Sequence, residues 1–141
     1  MMVSILNTRA GVCLFLTIFL GVQLKYGMSG AALLPHKVTV EITNRLTDRY
    51  LAVKCKDKKN DLGVHQLNVG EKYSFTFSPN FFFRITLYFC NFTWLEEDHY
   101  FDIYVEDRDG QCDQNVCSWE ILPTGPCRIL TTGRKCFQWN K

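Results

Sequence analysis

The stretch Phe81-Phe82-Phe83-Arg84-Ile85-Thr86-Leu87-Tyr88-Phe89-Cys90-Asn91-Phe92-Thr93-Trp94 is where the apolar content of the chain peaks. It is too short and too interrupted to cross a membrane, which takes about 20 mostly apolar residues. Its aromatic and β-branched residues suit a pleated surface, and no helical stripe runs through it. It reads as the central strand of a β domain. Phe81, Phe83, Ile85, Leu87 and Phe89 form an unbroken apolar row of odd positions, which is expected to face the core. Arg84 and Thr86 place the even row on the less buried side. After Cys90 the apolar residues move to Phe92 and Trp94. A period of two that changes phase needs a bulge or a bend, and it is placed near Cys90-Asn91. Ile85→Asp is then expected to unfold the domain, because an unpaired buried charge costs several kcal/mol.

Upstream, Arg9 precedes the apolar run Val12 to Val22, and small residues follow at Gly27, Ser29, Gly30, Ala31 and Ala32. That is the layout of a secretory signal peptide over residues 1–31, with cleavage between Ser29 and Ala32. The run falls short of a spanning helix, so no membrane insertion is expected once it is removed. Cys13 leaves with the leader, and the seven cysteines become an even six. Arg9 and Lys25 leave too, so the 14 acidic residues face an equal number of basic ones. A nucleic-acid-binding domain carries a basic excess, so no nucleic-acid partner is expected. Six cysteines in an exported domain read as disulfides.

Along the chain, Val38, Val40 and Ile42 alternate with Thr39, Glu41 and Thr43, as a half-buried strand does. Tyr50 to Lys56 repeats the pattern with Leu51, Val53 and Cys55 inward, and Asp57 to Asp61 is a charged loop. Leu62 to Leu67 is a weak short strand. Lys72 to Ser78 follows, with Tyr73, Phe75 and Phe77 inward. Beyond the aromatic stretch, Tyr100 to Val105 and Cys117 to Leu122 make two more strands, separated by the acidic segment from Glu106 to Asp113. Residues from about 127 form a basic tail with its own cysteine pair, Cys127 and Cys136. Short strands with frequent turn signals predict an all-β domain over residues 32–141: a small disulfide-stapled antiparallel β-sandwich of about seven to eight strands.

Few residues suggest chemistry. His36, His65 and His99 lack the local partners that a catalytic histidine needs. A calcium loop aligned on Gly110, with Asp107 and Asp109 as ligands, fails at Val105 and Val116, where further ligands belong. No catalytic, cofactor or metal site is assigned. Asn91-Phe92-Thr93 is an N-glycosylation sequon. Cys55 and Cys117 both fall on inward positions, which suggests a bridge between the two sheets. Cys90 would then pair with Cys112, and Cys127 with Cys136.

The strings Thr39 to Asn44, Leu51 to Lys56, Asp61 to Val64, Tyr73 to Phe77 and Cys90 to Trp94 resemble the plant self-incompatibility S-protein homologues. So do Tyr100 to Tyr104, Cys112 to Trp119 and Gly125-Pro126-Cys127. The likeness covers about residues 36 to 127, and the tail departs from it. It implies a small secreted β-sandwich whose shared cysteines match Cys55, Cys90, Cys112 and Cys117. It also implies a role like that of the founding poppy stigma proteins, ligands through which a pollen-surface partner leads to rejection of self pollen. The leading expectation is therefore a secreted, monomeric recognition ligand in cell–cell signalling, with a cell-surface receptor as partner and no enzymatic activity. Its partner-binding loop is placed at Glu106, Asp107, Arg108, Asp109, Gln111 and Asp113, because recognition loops sit on rigid scaffolds. Replacing Asp107, Asp109 and Asp113 by Asn is expected to leave stability nearly unchanged. The alternatives are a defence or membrane-active protein with an exposed aromatic patch at Phe81 to Phe83, and a hydrolase using Glu96, Glu97, Asp98 and Asp102.

Overall fold

A computed structural model describes residues 36–80 and 82–141. The segment 1–31 expected to be a signal peptide, residues 32–35 and Phe81 lie outside the described residues. Among the described residues, nine strands make two sheets. The first sheet has the order β4 (Lys72–Phe77), β1 (Val38–Asn44), β7 (Val116–Leu122), β8 (Gly125–Leu130) and β9 (Gly133–Cys136). The second runs β3 (Asp61–Leu67), β2 (Leu51–Lys56), β5 (Leu87–Trp94) and β6 (Glu97–Val105). The sandwich is as the alternating patterns predict, with two refinements. The tail adds β8 and β9 to the strand count, and β1 pairs with β7 in parallel. The other pairings are antiparallel.

The core is built from the inward rows of both sheets. Val38, Val40, Ile42, Cys117, Trp119 and Ile121 come from one sheet. Leu51, Val53, Cys55, Phe92, Phe101 and Ile103 come from the other. Asn44 is buried among them without penalty, since its amide donates to the carbonyls of Arg49 and Leu67 and its Oδ1 accepts from Leu46 N.

The decisive aromatic stretch is only partly a strand. β5 starts at Leu87, and its buried row is the even one: Tyr88, Cys90, Phe92 and Trp94. No phase change occurs on β5. The irregularity lies on its neighbour, since Tyr88 pairs with Tyr104 but Cys90 with Phe101, leaving an extra residue on β6. The expected inward row is overturned: Phe82, Phe83 and Ile85 are 88%, 72% and 70% exposed, and Leu87 is exposed as well. The cause is local. Asn80 Oδ1 accepts from the backbone N–H groups of Phe82 and Phe83, Asn80 O accepts from Arg84 N, and Asn80 N donates to Thr86 Oγ1 at 2.7 Å. Asn favours such turns through its own side chain. Arg84 then takes a left-handed φ of 46°, which breaks any extended run.

Two of the three bridges also differ from expectation, and the Cys127–Cys136 pair forms as expected. The structure joins Cys55 to Cys90, Cys112 to Cys117, and Cys127 to Cys136. Cys55 and Cys90 are directly opposed on adjacent strands of one sheet, so the bridge between sheets from Cys55 to Cys117 does not form. An inward position has neighbours beside it as well as across from it, and alternation alone does not distinguish them. Cys127 and Cys136 are likewise an opposed pair, on β8 and β9. The tail is thus a clipped hairpin. Beyond it, Phe137 and Trp139 pack against the core, and Asn140 N donates to Tyr100 O at 2.9 Å.

Candidate functional site

Strand directions bring four segments to one end of the sandwich. Lys56 pairs with Phe89, Leu87 with Val105, Val38 with Phe77, and Thr39 with Val116. His36, residues 57–60, residues 78–80 and 82–86, and residues 106–115 therefore converge. A cleft of about 430 Å³ lies between Arg84, His36, Glu106, Asp107, Arg108, Gly110 and Gln111. A second, of about 560 Å³, lies between Asp57, Lys58 and Lys59 on one side and Asn80, Ile85 and Leu87 on the other. Phe82, Phe83 and Ile85 are exposed in this region. The Thr86 carbonyl accepts from Glu106 N at 3.2 Å, which ties the apolar crest to the acidic segment.

The acidic segment divides into an internal part and a surface part. Glu106–Asp109 is a one-turn helix, α1. Asp109, its last residue, is 1% exposed. Arg108 grips it through Nε and Nη2, and Arg128 of β8 donates to its Oδ1. Val105 N donates to its other oxygen at 2.9 Å. The Arg108 guanidinium also lies 5.1 Å from the ring centres of Phe101 and Trp119, and 5.2 Å from that of Phe137. Charge-assisted bonds of this kind are strong only when all partners are present. Asp109 and Arg108 thus hold the acidic segment against β6 and β8. Asp109 is removed from the expected partner-binding set, because its carboxylate is enclosed and fully bonded; Arg108 is half-buried in the same contact.

Asp107, Gln111 and Asp113 remain exposed, and Glu106 is half-buried. Glu106 Oε2 accepts from the Tyr104 hydroxyl at 2.8 Å. Burial first and this bond second push the Tyr104 hydroxyl well above the usual tyrosine range. Gln114 and Asn115 both take left-handed φ, at 50° and 61°, an arrangement that L residues adopt at a cost. The local Cys112–Cys117 bridge closes around them. Under the other loop, Tyr88 is pushed up to about 12, by burial and then by the Asp57 carboxylate beside it. Burial works against the Asp57 charge, yet bonds from Lys59 N and Asn60 N hold its carboxyl below the ordinary value.

Of the acidic residues weighed for hydrolysis, Glu96 and Glu97 border one cleft with Arg49 and Leu95, and Asp98 and Asp102 lie further along β6. Asp98 accepts from the Asn91 amide, Glu97 contacts His99 Nε2 at 2.8 Å, and the Asp102 carbonyl accepts from Arg108. His99 stacks on Trp139, and His65 on Tyr73. Among the described residues, no cluster of three His, Cys, Asp or Glu side chains could hold a metal ion. No helix among them is long and apolar enough to cross a membrane.

The fold and its loop end define a disulfide-bridged two-sheet β-sandwich with an apolar crest at one pole. The profile of the plant self-incompatibility protein S1 family matches residues 39–139, and the chain belongs to that family. The match takes in the tail, which the sequence comparison by motif had set apart. S-protein homolog 2 of Arabidopsis thaliana is 44% identical over 113 residues, covering 74% of this chain and 70% of the relative. S-protein homolog 5 of the same plant is 40% identical over 129 residues, covering 91% of this chain and 94% of the relative. A solved structure of an SPH (Self-Incompatibility Protein Homologue) protein, from a family described as widespread, small, highly stable and secreted in plants, superposes with a TM-score of 0.57. It covers 77% of this chain and 99% of its own at 13% identity, a likeness of fold.

Proposed function

We propose that the protein is a secreted recognition ligand in plant cell–cell signalling, and that it meets a cell-surface protein through the loop end. The observation that carries this reading is the exposed crest Phe82-Phe83-Ile85, where Ile85 borders a cleft with Lys58 and Lys59 and the adjoining Arg84 borders one with Asp107 and Gln111. Large exposed apolar side chains rimmed by polar ones mark interaction sites. Aromatic anchors contribute most of the binding energy in protein interfaces, and charged rims set the approach rate. Family membership and the predicted leader support export. The family's name includes self-incompatibility, and pollen rejection is one form that such signalling takes.

The test is direct binding of fluorescently labelled protein to plant protoplasts. Phe82→Ser with Phe83→Ser is expected to weaken binding about tenfold or more. Leu95→Ser, at the opposite pole and 74% exposed, is expected to change it little. Equal binding by both variants removes the loop end from consideration.

The same crest favours a second reading, a membrane-active protein whose aromatic residues enter the lipid interface. Binding that survives protease treatment of the cells and transfers to protein-free vesicles, with leakage, would select it over the receptor reading.

A further inference from the structure

We infer that Asn91 carries an N-linked glycan whose first N-acetylglucosamine lies on the ring of Phe89. On a strand, residues two apart share a face. Phe89, Asn91 and Thr93 accordingly stand in line on the outer side of β5, all half-buried, while Cys90 and Phe92 point into the core. The sequon is thus preceded, on its own face, by an aromatic side chain. The Thr93 hydroxyl donates to Asn91 Oδ1 at 2.7 Å.

The surroundings have room and chemistry for a sugar. Asn91 opens into a cleft of about 240 Å³ lined by Lys54, Lys56, Phe89, Asp98 and Tyr100. Lys54 and Tyr100 are the residues opposite Asn91 on the two neighbouring strands. The floor is therefore two aromatic rings and two ammonium groups. A pyranose ring presents axial C–H groups on one face and hydroxyls at its edge. The C–H face suits the electron-rich face of an aromatic ring, and the hydroxyls suit Lys54, Asp98 and the Tyr100 hydroxyl. Lys56 Nζ now lies 5.3 Å from the Phe89 ring centre. It is a flexible, exposed cation whose hold there is weak, and a sugar would displace it.

The existing bond at Asn91 is compatible with the linkage. The side-chain amide has two N–H groups, and Asp98 Oδ1 accepts from that nitrogen. In the transfer, Asn91 Nδ2 bonds to C1 of the first sugar of a polyprenyl-diphosphate-linked oligosaccharide. The C1–O bond to phosphate breaks, polyprenyl diphosphate leaves, and one amide proton is released. The remaining N–H can still donate to Asp98. Transfer acts on the chain before it folds, and the folded sheet then offers the sugar its platform.

The inference shares one premise with the proposed function, passage through the secretory pathway. The full chain is expressed in a eukaryotic host that makes oligomannose glycans, and the secreted protein is trimmed with endoglycosidase H to one sugar. A mass larger by a single N-acetylglucosamine is expected, and it should be absent in Asn91→Gln and in Thr93→Ala. Comparing trimmed with sugar-free protein, the single sugar is expected to raise Tm by about 4 °C. In Phe89→Ala that gain should vanish while the mass increment stays. Secreted, disulfide-bonded protein without the sugar overturns this inference and leaves the recognition reading standing. An equal gain in Phe89→Ala overturns the stacking arrangement. A chain that stays in the cytosol without sugar overturns both proposals.

Discussion

Two segments of this protein reverse the usual relation between polarity and burial. The segment Phe82-Phe83-Arg84-Ile85 is mostly apolar and faces solvent. The set Arg108-Asp109-Arg128 is fully charged and largely internal. Both lie at or near the same pole, and they are tied through the bond between Thr86 and Glu106. The contrast separates two requirements. A charge can be buried where partners satisfy every polar atom, and an apolar side chain can be exposed where backbone bonds in the loop outweigh the gain from covering it. Composition describes neither case. What decides is whether partners exist at that place in the fold.

The strongest way to break this contrast is at its buried half. Asp109→Ala leaves Arg128 internal and unpaired, and a loss of about 3–5 kcal/mol is expected, read by denaturant unfolding of the oxidised protein. The earlier expectation that Asp109→Asn is harmless is withdrawn for the same reason. Arg108→Met keeps an apolar stem over Phe101 and Trp119 but removes one of the two cations facing Asp109. With Arg128 still in place, the cost should be smaller, about 2 kcal/mol.

The boundary between the two halves can be titrated. Tyr88, where the exposed segment enters the core, has its folded pKa raised to about 12. A raised group stabilises the fold while it is protonated, so its contribution is complete below about pH 10 and is lost as pH climbs toward 12. Asp57 has the opposite sign: its lowered value contributes above about pH 4 and is lost as the pH falls further. Thermal melts across pH 3–12 should show a plateau with both shoulders, and Tyr88→Phe should reduce the alkaline one.

At the exposed half, effects on stability should be small. Ile85→Asp is expected to change unfolding free energy by no more than about 0.5 kcal/mol, as is usual for surface positions. A severe loss from Ile85→Asp would restore the inward row that the structure rejects. Asp107→Asn with Asp113→Asn should be equally mild, which makes that pair the proper charge variant for binding measurements.

The sequence by itself determined the class of fold. Alternation at Val38 to Ile42, Leu51 to Cys55 and Cys117 to Ile121 fixes which side of each strand is apolar, and that is a local property. The motifs that carried the family likeness were legible for the same reason. Three matters were settled only in three dimensions. The phase of the aromatic stretch depended on Asn80, which bonds the backbone of Phe82 and Phe83 in a turn, so that β5 starts only at Leu87 although the apolar run has already begun. The partner of Cys55 depended on which strand lies beside β2, and strand order follows from no single segment. The burial of Asp109 depended on Arg128, 19 residues away on a strand of the tail. A side chain's own chemistry is written in the sequence, whereas the cost of placing it inside or outside is set by neighbours that only the folded chain brings together.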